Sequence, residues 1–254
     1  MSITNQSKIN CLLQKVDPNG LFFSEWMKKE GYSGQLVKRY RDSGWLDMLS
    51  RGVMYRKGTL PTTYAALASY NQQLKRTFRV AAHSALELAG FNHYVPMGKP
   101  LLVVASDNAV MPNWMKSDLF DKTFEVFSTD TFSEPEVSQT RVGTVELLVS
   151  APEQAFLECL LLAPKQYSYM DLFYIMEQLT SLRPDKIESL LRTTKSIRIR
   201  RMFLYMAEKA GHYWFDMLDV HNIDLGMSKM QLAPGGIYIP KYRITVPKEL
   251  NEYG

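Results

Sequence analysis

Ser33-GQLVKRYRDSGWLDMLSRGVMYRK-Gly58 is the stretch that decides the fold. Leu36, Val37 and Tyr40 recur at the i, i+1, i+4 spacing of a core-facing helical stripe, with Ser33 as cap. Gln35, Lys38, Arg39 and Arg41 are left pointing elsewhere. Ser43-Gly44 ends the helix. Trp45-LDML and Val53-MYRK then read as two short strands, and Ser50-Arg51-Gly52 between them supplies the glycine of a tight hairpin turn. On this reading Arg51, Arg56 and Lys57 sit on or near the hairpin, within reach of phosphates. A helix presenting Lys and Arg, followed at once by a basic hairpin, is the arrangement with which a winged helix-turn-helix holds DNA.

Upstream, the chain completes that module in order. Ile9-NCLLQKV reads as a short amphipathic helix, Asn19-Gly20 as a turn and Leu21-Phe22-Phe23 as a brief strand; Ser24 is placed to cap a helix through Glu30. Gly31-Tyr32 then leads to Ser33, so two helices are joined by a turn of about three or four residues. Charge agrees. Residues 1–60 carry ten Lys and Arg against five Asp and Glu, whereas the remainder carries 20 against 21, so the net charge of +4 arises in the first quarter. A basic excess confined to one small module is the footprint of a polyanion binder. Winged helices also serve as protein-interaction modules, and exposed helix faces are commonly charged, which keeps that alternative open.

A chain of 254 residues, 46% of them hydrophobic, is long enough for two domains: residues 1–77 as the winged helix-turn-helix with a linker helix, and 78–254 as a larger domain. No apolar run approaches the ~18 residues of a membrane span. Ala155-FLECLLLA comes nearest, and Met1-SITNQSKIN lacks a signal-peptide core, so a cytoplasmic, membrane-free protein is expected. Cys11 and Cys159 lie in separate apolar helical patterns without a CxxC, and both read as small core residues.

Beyond the hairpin, Leu60-PTTYAALASYNQQLKRTF reads as a linking helix and the segment around Ala85, Leu86, Leu88 and Ala89 as a helix ended by Gly90. Lys99-PLLVVAS, Phe124-EVFST and Val142-GTVELLVS read as strands. Pro152 opens a mostly helical stretch to Leu225, and Ile237-YIP and Tyr242-RITVP return to strand. The fold class expected is α+β: a winged helix followed by a mixed sheet flanked by several helices.

Six phrases stand in register behind this module: His83-SALELAGFNHYVPMG, Met111-PNWMKS, Ser150-APEQAFLECL, Arg198-IRRMFLYMAEKAGHYWF, Ile223-DLGMSK and Lys241-YRITVP. Together with Ser43-GWLDMLSRGVMYR they make the chain resemble, over nearly its whole length, the AbiEi antitoxins of type IV toxin-antitoxin systems. The resemblance implies a bacterial transcriptional repressor encoded beside a nucleotidyltransferase-like toxin, whose winged helix binds inverted repeats in double-stranded DNA of its own promoter. It further implies that the toxin is opposed without a stable complex, a link to phage abortive infection, and a carboxy-terminal domain needed for antitoxicity.

The residues themselves offer little catalytic chemistry. His83 and Glu87 lie four apart and share a helix face, an arrangement able to ligate metal or shuttle protons, but no third ligand accompanies them. His93, His212 and His221 are scattered beside apolar residues and read as structural. Asp216, Asp219 and Asp224 lack calcium-loop spacing and read as turn and cap residues, and Gly235-Gly236 is not followed by Lys-Ser/Thr. No cofactor, metal or catalytic residue is expected. Lys195, Arg198, Arg200 and Arg201 form the dense basic cluster outside the winged helix; it reads either as the solvated face of a packed helix or as a second polyanion surface. In the DNA reading, Gln35, Lys38 and Arg39 reach base edges while the other cations neutralise phosphates, and a monomer occupies each half-site. The rivals are direct sequestration of a toxin and an enzyme acting on nucleic acid, the latter lacking a paired-carboxylate motif.

Overall fold

A computed structural model describes residues 5–91, 98–106 and 110–253. The chain begins with α1 (Asn5–Gln14), β1 (Leu21–Phe23), α2 (Ser24–Lys29), α3 (Gly34–Asp42), β2 (Leu46–Ser50) and β3 (Val53–Arg56). The strands form an antiparallel sheet in the order β1-β3-β2, with Phe22 opposite Met54 and Met48 opposite Met54 on the other side. Leu12, Phe22, Met27, Tyr40, Leu46 and Met54 bury against one another, and Leu36 and Val37 pack on that cluster, so the stripe of α3 faces inward. This is the winged helix-turn-helix. Ser33 caps α3, its Oγ accepting from the Leu36 N–H at 3.3 Å. Ser24 instead is the first residue of α2, behind a cap position occupied by Phe23. Cys11 is exposed, contrary to the core role expected, because Ile9 and Leu12 set an inner face of α1 that is centred about 130° away from it.

α4 (Thr63–Leu74) lies on β1 and completes its hydrogen bonding with side chains. The Leu21 N–H donates to Ser69 Oγ (3.1 Å), the Phe23 N–H donates to Gln73 Oε1 (3.0 Å), and Gln73 Nε2 returns a bond to the Leu21 carbonyl (2.6 Å). An edge strand is thereby closed without another strand. The approach is so near that a Cβ on Gly20 would stand 2.5 Å from Ser69 Oγ, which is why this turn requires glycine.

The chain continues through β4 (Arg79–Val80), α5 (Ala82–Leu88), β5 (Leu101–Ser106), β6 (Thr123–Ser128), β7 (Val137–Val142) and β8 (Val145–Ser150). These strands make a mixed five-stranded sheet in the order β6-β5-β4-β8-β7. The central strand is only two residues long, antiparallel to β5 and parallel to β8. Sequence reading misses it, since two residues carry no period, and it reads Val142 to Ser150 as one strand. Gly143, at φ +61°, breaks that run and assigns Val142 to β7. Trp114 stands at the junction of this sheet with the winged helix, its ring 5.8 Å from Phe23, 5.3 Å from Tyr70 and 5.6 Å from Phe124.

The remaining elements are α6 (Pro152–Leu162), α7 (Tyr169–Gln178), α8 (Pro184–Thr193), α9 (Ile197–Ala210), β9 (Met230–Gln231), β10 (Ile237–Ile239), β11 (Ile244–Val246) and α10 (Lys248–Glu252). α9 is the hub, burying Ile199, Met202, Phe203, Leu204 and Met206 among its neighbours. Cys159, on α6, is fully buried, and burial pushes its thiol pKa up. The two compact units of the chain interleave in sequence. One comprises Met1–Val80, Pro96–Ser128 and Gln139–Val149; the other comprises Ala81–Val95, Thr129–Ser138 and Ser150–Gly254. The aromatic contacts of Trp114 tie the first of these later segments to the winged helix, and Thr144 Oγ1 donating to the Asp17 carboxylate ties the second.

Candidate nucleic-acid interface

With Leu36, Val37 and Tyr40 turned inward, α3 presents Gln35, Lys38, Arg39 and Arg41 to solvent. None of these four forms an ion pair or side-chain hydrogen bond among the described residues. The contrast with α1 and α2 is informative: Lys29 is paired with Glu25 at 2.8 Å, and Lys15 with Glu30. The cations of α3 therefore keep their full charge available to a polyanion. Ser33, exposed at the amino end of the helix, accepts the Leu36 N–H yet retains its own hydroxyl hydrogen for donation.

The hairpin distributes its three basic residues differently from the sequence expectation. Arg51 is exposed in the turn, beside Gly52 at φ +80°, and the turn is tied down by the Ser24 N–H donating to the Gly52 carbonyl at 2.8 Å. Lys57 lies at the opposite end of the hairpin. Its N–H donates to the Trp45 carbonyl at 3.1 Å, and its stem runs 3.8 Å from where a Cβ of Gly44 would be, next to the carboxy end of α3. Arg56 is half-buried, and its Nη2 donates to the Leu13 carbonyl at 2.9 Å, capping the end of α1. Arg51 and Lys57 thus occupy the two ends of the hairpin, Lys57 beside the carboxy end of α3, while Arg56 supports the module from inside.

The second basic surface is corrected by the structure. Arg198 donates from Nη1 to the Ala163 carbonyl (2.7 Å) and from Nη2 to the Leu161 carbonyl (2.9 Å). Arg200 donates to the carbonyls of Asp224 (2.8 Å) and Thr194, and Arg201 is fully buried. Lys195 remains exposed but is paired with Asp130 at 2.8 Å. Three of the four cations thus serve as internal ties for main-chain carbonyls, because buried carbonyls without a helix or strand partner need donors. Sequence reading also misses Arg243, which joins Arg201 although it lies 42 residues away.

The other candidates fall into structural places. His83 Nδ1 lies 3.5 Å from Glu87 Oε1; burial pushes the imidazole pKa down, against the upward pull of Glu87. Among the described residues, no group of three or more His, Cys, Asp or Glu is placed to hold a metal ion. His93 lies outside the described residues. His212 bonds through Nε2 to the Met176 carbonyl (2.6 Å) and stacks on Trp214, whereas His221 is exposed. Asp224 accepts the Gly226 N–H in a turn at 2.8 Å, Asp219 binds Asn222, and Asp216 belongs to the 3-10 turn Tyr213–Met217. A Cβ on Gly236 would fall 2.0 Å from the Val246 carbonyl oxygen, so this glycine serves close packing on β11.

Two family models match the chain. Residues 5–97 match the amino-terminal domain of the AbiEi antitoxin transcriptional regulators, and residues 99–247 match the transcriptional regulator, AbiEi antitoxin, of type IV toxin-antitoxin systems. No curated protein matches. The crystal structure of the RV2827C protein from Mycobacterium tuberculosis is similar, with a TM-score of 0.62 and 16% identity over 96% of this chain and 91% of that one. At this identity the likeness concerns the fold, and it spans both chains nearly end to end. No helix among the described residues is long and apolar enough to cross a membrane. By the two model matches, which together cover almost the entire length, the chain belongs to the AbiEi antitoxin family of transcriptional regulators of type IV toxin-antitoxin systems.

Proposed function

We propose that this AbiEi-family chain represses its own operon by binding inverted repeats in the promoter, residues 1–77 reading the DNA and residues 78–254 supplying the antitoxin action. The observation that carries this reading is the solvent face of α3, where Gln35, Lys38, Arg39 and Arg41 stand exposed without intramolecular partners. Gln35, Lys38 and Arg39 meet base edges in the major groove, glutamine suiting adenine and arginine or lysine suiting guanine. Arg41, Arg51 and Lys57 neutralise phosphates on either side, and Ser33 donates to the backbone at the amino end of the helix. Repression follows from occupancy alone, with no chemistry on the DNA. One monomer binds each half-site, and the two repeats recruit two copies.

The family's antitoxin role is carried, in our reading, without a stable complex with the nucleotidyltransferase-like toxin, in the cytoplasm and at the nucleoid, as part of abortive infection by phage. The test compares binding to the DNA upstream of the operon with binding to a scrambled duplex, for the native chain and for Lys38→Ala combined with Arg39→Ala. A preference for the operon DNA that the double substitution removes supports the reading. Equal, weak binding to both duplexes by both proteins sinks it. Comigration of the chain with the purified toxin in gel filtration would favour sequestration instead.

A further inference from the structure

Three arginines converge on three successive main-chain carbonyls. Arg200 Nη1 donates to the Asp224 carbonyl (2.8 Å), Arg201 Nε to the Leu225 carbonyl (2.6 Å) and Arg243 Nη1 to the Gly226 carbonyl (2.7 Å). Arg201 is fully buried, and its Nη1 donates to the Arg243 carbonyl at 3.0 Å. Its Nη2 is also buried and has no hydrogen-bond partner among the described residues; it lies 3.4 Å from the point where a Cβ of Gly226 would be, directly under the loop. The carboxylate that accompanies these cations is Asp224, 3.8 Å from Arg200, largely exposed and already accepting the Gly226 N–H.

A buried guanidinium without an ionised partner is costly, and a carbonyl offers it only a partial charge. The environment registers that cost: burial, and next the charge of Arg243, push the Arg201 pKa down. The planar fork of arginine is best matched by an oxyanion taken two oxygens at a time, and a phosphoryl group presents three such oxygens. Arg243 is held at φ +54° and Gly226 at φ +65°, so both sides of the contact have left-handed backbone, which only the glycine adopts without strain.

We propose that Arg200, Arg201 and Arg243 form a site for a terminal phosphate group, covered by the Asp224–Gly226 loop, whose three carbonyls occupy the positions of phosphate oxygens. The group is a phosphate monoester or the end of a pyrophosphate. Arg201 lies beneath the surface, and a backbone phosphodiester, with a sugar on either side, is too broad to reach it. The same chemistry arises in a free nucleotide and at the 5′ end of a nucleic acid. The site is separate from α3 and stands whether or not the DNA reading of that helix holds.

The test is calorimetric titration of the full chain with inorganic pyrophosphate, joined to hydrogen exchange of the amides from Asp224 to Met227. Saturable binding is expected, with faster exchange of those amides as the loop gives way. Arg243→Met should weaken binding at least about tenfold, since a charge-assisted, two-pronged contact is lost. Asp224→Asn keeps an acceptor for the Gly226 turn on an exposed side chain and should tighten binding about threefold by removing one repulsive charge; it preserves the test if the arginine variant fails to fold. A nucleoside triphosphate and matched 5′-phosphorylated and 5′-hydroxyl oligonucleotides complete the set. Tight binding of the triphosphate supports the site with a nucleotide as its occupant, and selective binding of the phosphorylated oligonucleotide supports it with a nucleic-acid end. The proposal is overturned if pyrophosphate does not saturate at millimolar concentration. It is equally overturned if binding ignores both substitutions and is displaced by operon DNA, which would seat the anion on α3.

Discussion

Single alanine substitutions at Lys38, Arg39, Arg41, Arg51, Lys57 and Arg56 should separate into two classes, although all six residues belong to the same basic segment. The first five are exposed and free of internal partners. Each that neutralises a phosphate should lower the slope of log K against log salt by about 0.9, because one condensed counterion fewer is released on binding. Their removal should leave the fold within about 0.5 kcal/mol of the native stability, as expected for surface sites. Arg56 differs. Its Nη2 donates to the Leu13 carbonyl at 2.9 Å in a half-buried setting, so Arg56→Ala strips the end of α1 of a donor. That should cost about 1–3 kcal/mol of stability and leave the salt slope of the remaining folded protein unchanged. The assay pairs fluorescence-anisotropy binding to operon DNA across a salt series with urea unfolding of each variant. Two results would refute the reasoning: an Arg56→Ala slope that falls as far as that of Arg41→Ala, or an Arg41→Ala slope that matches the native protein. The first would mean that Arg56 leaves Leu13 to meet DNA, and the second that Arg41 faces away from it.

Further outcomes follow from the internal geometry. Gln73→Leu leaves the buried Phe23 N–H and Leu21 carbonyl without their partners and should destabilise the chain by about 2–4 kcal/mol in urea unfolding; an unchanged midpoint would mean that water replaces the side chain. Gly20→Ala drives a Cβ into Ser69 Oγ, 2.5 Å away, and should cost about 1–3 kcal/mol, measured the same way. Burial alone would raise the Glu153 carboxyl, but the side-chain and main-chain hydrogen bonds from Arg183 outweigh it and hold the pKa below the ordinary carboxylate range. Its stabilising contribution is therefore complete above the ordinary value of about 4.3 and disappears as pH falls through the lower folded value. Acid titration of stability should show this loss in the native chain and a weaker one in Arg183→Met; identical acid profiles would exclude the pair as its source.

Local sequence was enough to define the winged helix. The alternation of Leu36, Val37 and Tyr40 with Lys38, Arg39 and Arg41 assigns an inner and an outer face to α3, Ser33 caps it, and Gly52 permits the hairpin turn, all through interactions spanning a few residues. The same kind of reasoning misjudges Arg198, Arg200 and Arg201. Their spacing identifies a helix, but the direction taken by a long guanidinium stem depends on where unsatisfied carbonyls lie, and those belong to residues 24 to 42 positions away in the case of Arg201. The two-residue strand β4 is fixed only by strands on both of its sides. Likewise, pairing Trp45 with Lys57 sends Lys57 to the far end of the hairpin from Arg51, which the composition of the turn does not encode. Sequence determined which segments are helices or strands and which faces are apolar, because those depend on periodicity and near neighbours. Tertiary structure decided which charges remain free for a partner, because each buried carbonyl must find a donor and takes the nearest cation in space rather than in sequence.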